Sequence, residues 1–129
     1  MKFHSRLPAC ALLLFAAGVA AAQPLPRLAA SSNDLTVSGI SSGGYMAVQY
    51  HVAHSQTVAG AGIISAGPWH CAEASIARAL GACMKGDPAP DTTGLIAAAR
   101  KAAGAGAIDA PEGLAADRVW VFHGAKDST

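Results

Sequence analysis

Residues 38–46 read SGISSGGYM, and inside them Gly39-Ile40-Ser41-Ser42-Gly43 matches the pattern G-x-S-x-G. A chain with 14 glycines produces such a match easily, so its meaning rests on what flanks it. Upstream, Leu35-Thr36-Val37 leads in with β-branched residues and predicts a strand over residues 35–40. Downstream, Gly43-Gly44 opens residues 45–54, which lack proline and glycine and carry Met46, Gln49, Tyr50 and Ala53 at helical spacing. Strand, tight turn and helix are the setting of a nucleophile elbow. The turn is sharp enough that side chains two residues before and two after the nucleophile collide unless they are small. Ser41 has Gly39 and Gly43 in those places, Ser42 would have the bulky Ile40, and Ser38 has no such frame. Ser41 is the expected nucleophile, and the backbone N–H of Ser42, at the helix start, is the expected oxyanion donor. A glycine-rich turn without chemistry is the plainer alternative.

Working outward, residues 58–66 (VAGAGIISA) form an apolar run too rich in glycine for a good helix and predict a buried strand, broken by Gly67-Pro68. A short helix is expected over residues 72–80 and a loop over residues 84–91. Thr92 or Thr93 would cap a helix reaching about Ala103, with Arg100 and Lys101 in its last turn. Residues 118–123 (RVWVFH) are the clearest strand. Strands alternating with helices imply an α/β fold with a parallel sheet and flanking helices.

The chain has 129 residues, room for one small domain. Its net charge of +1 and 13% charged residues give it neither a basic stripe nor an acidic tail, which argues against nucleic acid as a partner. Lys2, His4 and Arg6 precede an apolar run over residues 9–22 that ends in Ala20-Ala21-Ala22. A charged start, a core too short to span a bilayer and a small-residue end predict a signal peptide over residues 1–22. Residues 23–34 read as a linker, and export to a secreted or periplasmic location is expected, with no membrane association after cleavage. With Cys10 removed, Cys71 and Cys83 remain, and an oxidising compartment favours their pairing, two buried thiols being the alternative. No four-ligand set for zinc is present, so no metal is expected.

A serine hydroxyl needs a base, and the base needs a carboxylate to orient it. In the order Ser, acid, His, each on a loop after a strand, Asp127 fits the acid, because it follows the strand RVWVF in HGAKDST. Asp117 precedes that strand, and Asp87, Asp91 and Asp109 have no strand leading into them. No histidine follows Asp127. His51, His54 and His70 read as surface or loop residues, and His123 as a strand-end residue packed under the acid loop. Trp69 and Tyr45 suit either a cleft wall or the core.

Three blocks, SGISSGGYMAVQYHVAHS, then GPWHC with ALGACM, then RVWVFHGAKDST, resemble the extracellular poly(3-hydroxybutyrate) depolymerase and related esterase family over residues 34–129. The resemblance implies a partial α/β-hydrolase fold and a secreted serine esterase acting without a cofactor on polyester or small hydroxyalkanoate esters. It puts Ser41 on the family's nucleophile, Asp127 on its acid, and Cys71 and Cys83 where relatives carry cysteines thought to pair. The family includes circularly permuted members, which suits an elbow so close to the expected mature N-terminus. Relatives supply the catalytic histidine after the acid loop, so residues 35–129 are expected to be the N-terminal part of such a catalytic domain, inactive by itself. A feruloyl or acetyl-xylan esterase shares the elbow, and a non-catalytic remnant of the fold is the further alternative.

Overall fold

The computed structural model describes residues 24–26, 28–32 and 34–127. The expected signal peptide over residues 1–22 lies outside the described residues. The described part of the linker has no regular structure and is exposed.

Three strands, β1 (Leu35–Ile40), β2 (Val58–Ile64) and β3 (Arg118–Phe122), lie parallel in the order β1-β2-β3. Helix α1 (Ser42–Ala53) connects the first two, and the second crossover carries α2 (Ile76–Arg78), a π-helical turn over Ala79–Cys83, α3 (Thr92–Gly104) and a 3₁₀ segment over Pro111–Ala116. The expected parallel α/β architecture is what the chain adopts.

Register decides which side chains share a face. Val37 pairs with Ala61 and Gly39 with Ile63, and the β3 partners of those β2 positions are Val119 and Val121. Because strand side chains alternate, these residues share one face. Against it α1 packs Ala47, which with Ala61 and Ile63 forms the buried core, edged by Val37, Val48 and Ala66. Val58, at the start of β2, is almost fully enclosed, and truncating it to alanine costs about 2 kcal/mol. The cover stops short of β3, whose five residues are all exposed, Trp120 at 58% and Val121 at 65%. Trp120 and Phe122, two apart on the strand, stack on each other on the opposite face. Among the described residues both outer strands therefore have open edges, and the sheet's apolar faces are only partly covered.

Local departures from the sequence expectations have identifiable causes. The helix expected over residues 72–80 begins only at Ile76, because Glu73 and Ala74 hold left-handed backbone and Ser75 caps the helix, its hydroxyl accepting from the N–H of Arg78 at 3.3 Å. Neither Thr92 nor Thr93 caps α3; Asp91 does, its carboxylate accepting from the N–H of Gly94 at 3.1 Å. Strand β2 stops at Ile64 rather than residue 66, since Ser65 turns into the left-handed region with φ 47°.

His51 is no surface residue. It is buried, and its Nε2 lies 2.7 Å from Oδ2 of Asp117, the residue before β3. This pair closes the far end of α1 over the sheet. Nearby, the Ser55 hydroxyl donates to the carbonyl of Ala110 at 2.8 Å and Asp109 N–H to the carbonyl of Ala53 at 3.0 Å. Both tie α1 to the segment leading into β3.

Candidate active site

Ser41 sits between the last residue of β1 and the first of α1, with φ 53° and ψ −122°. A left-handed φ on a residue with a Cβ costs on the order of 1–3 kcal/mol and points to function when it occurs at a strand-to-helix turn. Ser41 is exposed, and two hydrogen bonds fix its backbone. Ser41 N–H donates to the carbonyl of Ile64 in β2 at 2.9 Å, and the carbonyl of Ser41 accepts from Tyr45 N–H at 2.9 Å. Ser42 is the first helical residue, so its N–H has no carbonyl one turn earlier and is available at the positive end of α1.

Of the two glycines expected to be confined beside Ser41, Gly39 is and Gly43 is not. A Cβ on Gly39 would run into the backbone of Gly43 and lie 2.7 Å from Gly44 N, so position 39 admits only glycine. A Cβ on Gly43 would meet nothing within 4 Å, and the confined glycine is the next one. At Gly44 the added atom would lie 2.8 Å from Ala66 Cβ and 2.9 Å from the carbonyl oxygen of Ile64. The helix starts at Ser42, which turns Gly44 toward the sheet and Gly43 outward.

Ser41 and Ser42 open onto a cleft of about 590 Å³. Its walls are mostly apolar and include Tyr45, Ala72, Ala79 and Met84, together with Cys71 and Cys83, which form a disulfide with Cα atoms 5.9 Å apart. Two hydrogen bonds fasten the disulfide-closed segment to α1. The Tyr45 hydroxyl donates to the carbonyl of Cys83 at 2.5 Å, and His70 N–H donates to Gln49 Oε1 at 3.0 Å. Burial raises the Tyr45 phenol above its usual value, partly offset by a hydrogen bond from the Gly67 backbone. Tyr45 is thus a cleft wall. Trp69 lines a different pocket with Val52 and Leu95, between α1 and α3.

Asp127 stands at the same, carboxyl end of the sheet, on the loop after β3. It lines a neighbouring cleft with Lys85, Asp87 and His123, and the two clefts share Cys83 and Met84 as a common wall. Ser65, after β2, lies between them in strand order. Its hydroxyl donates to Asp127 Oδ2 at 2.5 Å and its N–H to the carbonyl of Phe122 at 2.9 Å. Ser65 escaped the sequence reading, which placed it inside the strand over residues 58–66; only the observed end of β2 at Ile64 sets it directly after a parallel strand, where ligand sites form. His123 is exposed on the cleft shared with Asp127 rather than packed under the acid loop. Among the described histidines, His70 lines the Ser41 cleft, while His54 is exposed and packs its ring against Tyr50. No group of three His, Cys, Asp or Glu residues suited to a metal occurs among the described residues, and no described helix is long and apolar enough to cross a membrane.

Comparison with known proteins bears on this arrangement. The chain is 45% identical over 111 residues, 85% of its length, to a poly(3-hydroxybutyrate) depolymerase of Delftia acidovorans, of which it covers 22%. It is 44% identical over 62 residues to a polyhydroxybutyrate depolymerase of Talaromyces funiculosus, covering 47% of this chain and 18% of that protein. The chain thus spans about a fifth of the length of the curated relatives it matches. No protein-family model and no solved structure matches. The resemblance carried by the three sequence blocks holds, and over 85% of its length this chain is related to the poly(3-hydroxybutyrate) depolymerases.

Proposed function

We propose that this chain is the nucleophile-bearing part of an exported serine esterase that hydrolyses poly(3-hydroxybutyrate) or related hydroxyalkanoate esters. The observation that carries the reading is the left-handed Ser41 at a strand-to-helix turn, facing a mostly apolar cleft beside the N-terminus of α1. In this reading Ser41 Oγ attacks the ester carbonyl carbon and gives its proton to a histidine. The Ser42 N–H stabilises the resulting oxyanion. Collapse breaks the bond to the alkoxy oxygen, which leaves with the proton, and water releases the acyl group by the reverse sequence. Asp127 orients the histidine. In the order Ser, acid, His that base follows Asp127 along the sequence. The relatives' names support the polyester substrate, the predicted signal peptide supports export, and residues 35–129 form the first part of the catalytic domain.

Without its base a serine triad loses several orders of magnitude in rate, so the 129-residue chain should turn over p-nitrophenyl butyrate negligibly. Robust hydrolysis abolished by Ser41→Ala would keep the nucleophile and move the base to His70. Robust hydrolysis untouched by Ser41→Ala would overturn the assignment of the nucleophile.

A further inference from the structure

We infer that Ser65 is a positioning residue that holds the Asp127 carboxylate in place and favours its ionised form, an inference that rests on Asp127 being the acid of the proposed esterase. Three observations meet at this residue. Its hydroxyl donates to Asp127 Oδ2 at 2.5 Å, between two half-buried side chains. Its N–H donates to the carbonyl of Phe122, the last residue of β3, so one residue grips the acid loop by backbone and side chain together. Its φ is 47°, a conformation that glycine adopts without strain.

Glycine would suit the backbone here but has no hydroxyl, and the strain at Ser65 accompanies a hydroxyl that reaches Asp127. The loop is closed from its other side by Asp127 N–H donating to the carbonyl of Gly124 at 2.9 Å. A hydroxyl donating to a carboxylate stabilises the charged form and fixes the direction of its lone pairs. An acid that must orient an imidazole and stay ionised beside it needs both. Lys85, Asp87 and His123 are the other charged or titratable groups lining the Asp127 cleft, and they are unchanged in the variants below.

The test is a carbon-13 carboxyl titration of Asp127 in the 129-residue chain, in the parent and in Ser65→Ala, Ser65→Gly and Ser65→Asn. Loss of the hydroxyl in Ser65→Ala and Ser65→Gly should raise the Asp127 midpoint by about one unit. Ser65→Asn, which tolerates left-handed backbone and keeps a donor, should recover part of the shift. Ser65→Gly also relieves the strain, so it should be more stable than Ser65→Ala while the Asp127 midpoint still rises. A purely structural serine would change stability and leave the midpoint in place, and an unmoved midpoint in Ser65→Gly overturns the inference. The readout needs no turnover, so a failed esterase reading would appear at the Ser41 cleft and not in this titration.

Discussion

The carbonyl oxygen of Ile64, the last residue of β2, accepts a 2.9 Å hydrogen bond from Ser41 N–H and lies 2.9 Å from where a Cβ on Gly44 would stand. One oxygen thus fixes the backbone at Ser41 and limits which residues can follow it on the helix.

The three glycines around the elbow should therefore separate cleanly. Gly44→Ala should cost about 1–3 kcal/mol and Gly39→Ala more, since its added Cβ would overlap backbone atoms outright. Gly43→Ala has open space and replaces a helical glycine, so it should be neutral or stabilise by up to about 1 kcal/mol. Urea unfolding midpoints at constant slope provide the comparison. A Gly43→Ala chain as damaged as Gly44→Ala would contradict the helix onset at Ser42.

The cleft wall should respond to reductant. The Cys71–Cys83 bridge closes a segment with a sequence separation of 12, worth about 3 kcal/mol on the loop-entropy account. Thermal unfolding should therefore shift downward on reduction, and by the same amount in Cys71→Ser. The fastenings of Cys83 to Tyr45 and His70 to Gln49 do not depend on the bridge. Far-ultraviolet circular dichroism of the reduced chain at low temperature should consequently match that of the oxidised one.

Tyr45 gives a pH dependence with a definite sign. Burial raises its phenol above the ordinary value of 10.0, so the folded state holds the proton more tightly than the unfolded state. The associated stability is intact below pH 10 and declines as pH rises from there through the folded value. Tyr45→Phe should flatten that decline, while losing the hydrogen bond to Cys83 lowers stability at neutral pH by about 1 kcal/mol. Denaturant unfolding at a series of pH values up to 11 checks both.

What could be read from the sequence was what local sterics decide. Gly39, the bend at Ser41 and the strand RVWVF all follow from short-range collisions and alternation, and all three strands start where expected. What could not be read depends on distant partners or on backbone that composition does not mark. His51 meets Asp117 across 66 residues of sequence, so nothing near it hinted at burial. Ser65, Glu73 and Ala74 enter the left-handed region without a glycine to announce it, which hid both the end of β2 and the late start of α2. The exchange of roles between Gly43 and Gly44 came from counting two residues on from Ser41, without allowing for the helix that already starts at Ser42. A shift of one position on a helix turns a side chain by about 100°.

The central claim is that Ser41 faces the cleft in which a hydroxyalkanoate ester binds. Titrating a 3-hydroxybutyrate trimer into the nitrogen-15-labelled chain and following amide shifts tests it most directly. The account predicts perturbations at Ser41, Ser42, Tyr45, Ala72, Ala79 and Met84, which line that cleft, weakened when the disulfide is reduced. Shifts confined to the open sheet face around Trp120 and Phe122, or tighter binding of a feruloylated sugar at the same residues, would contradict it.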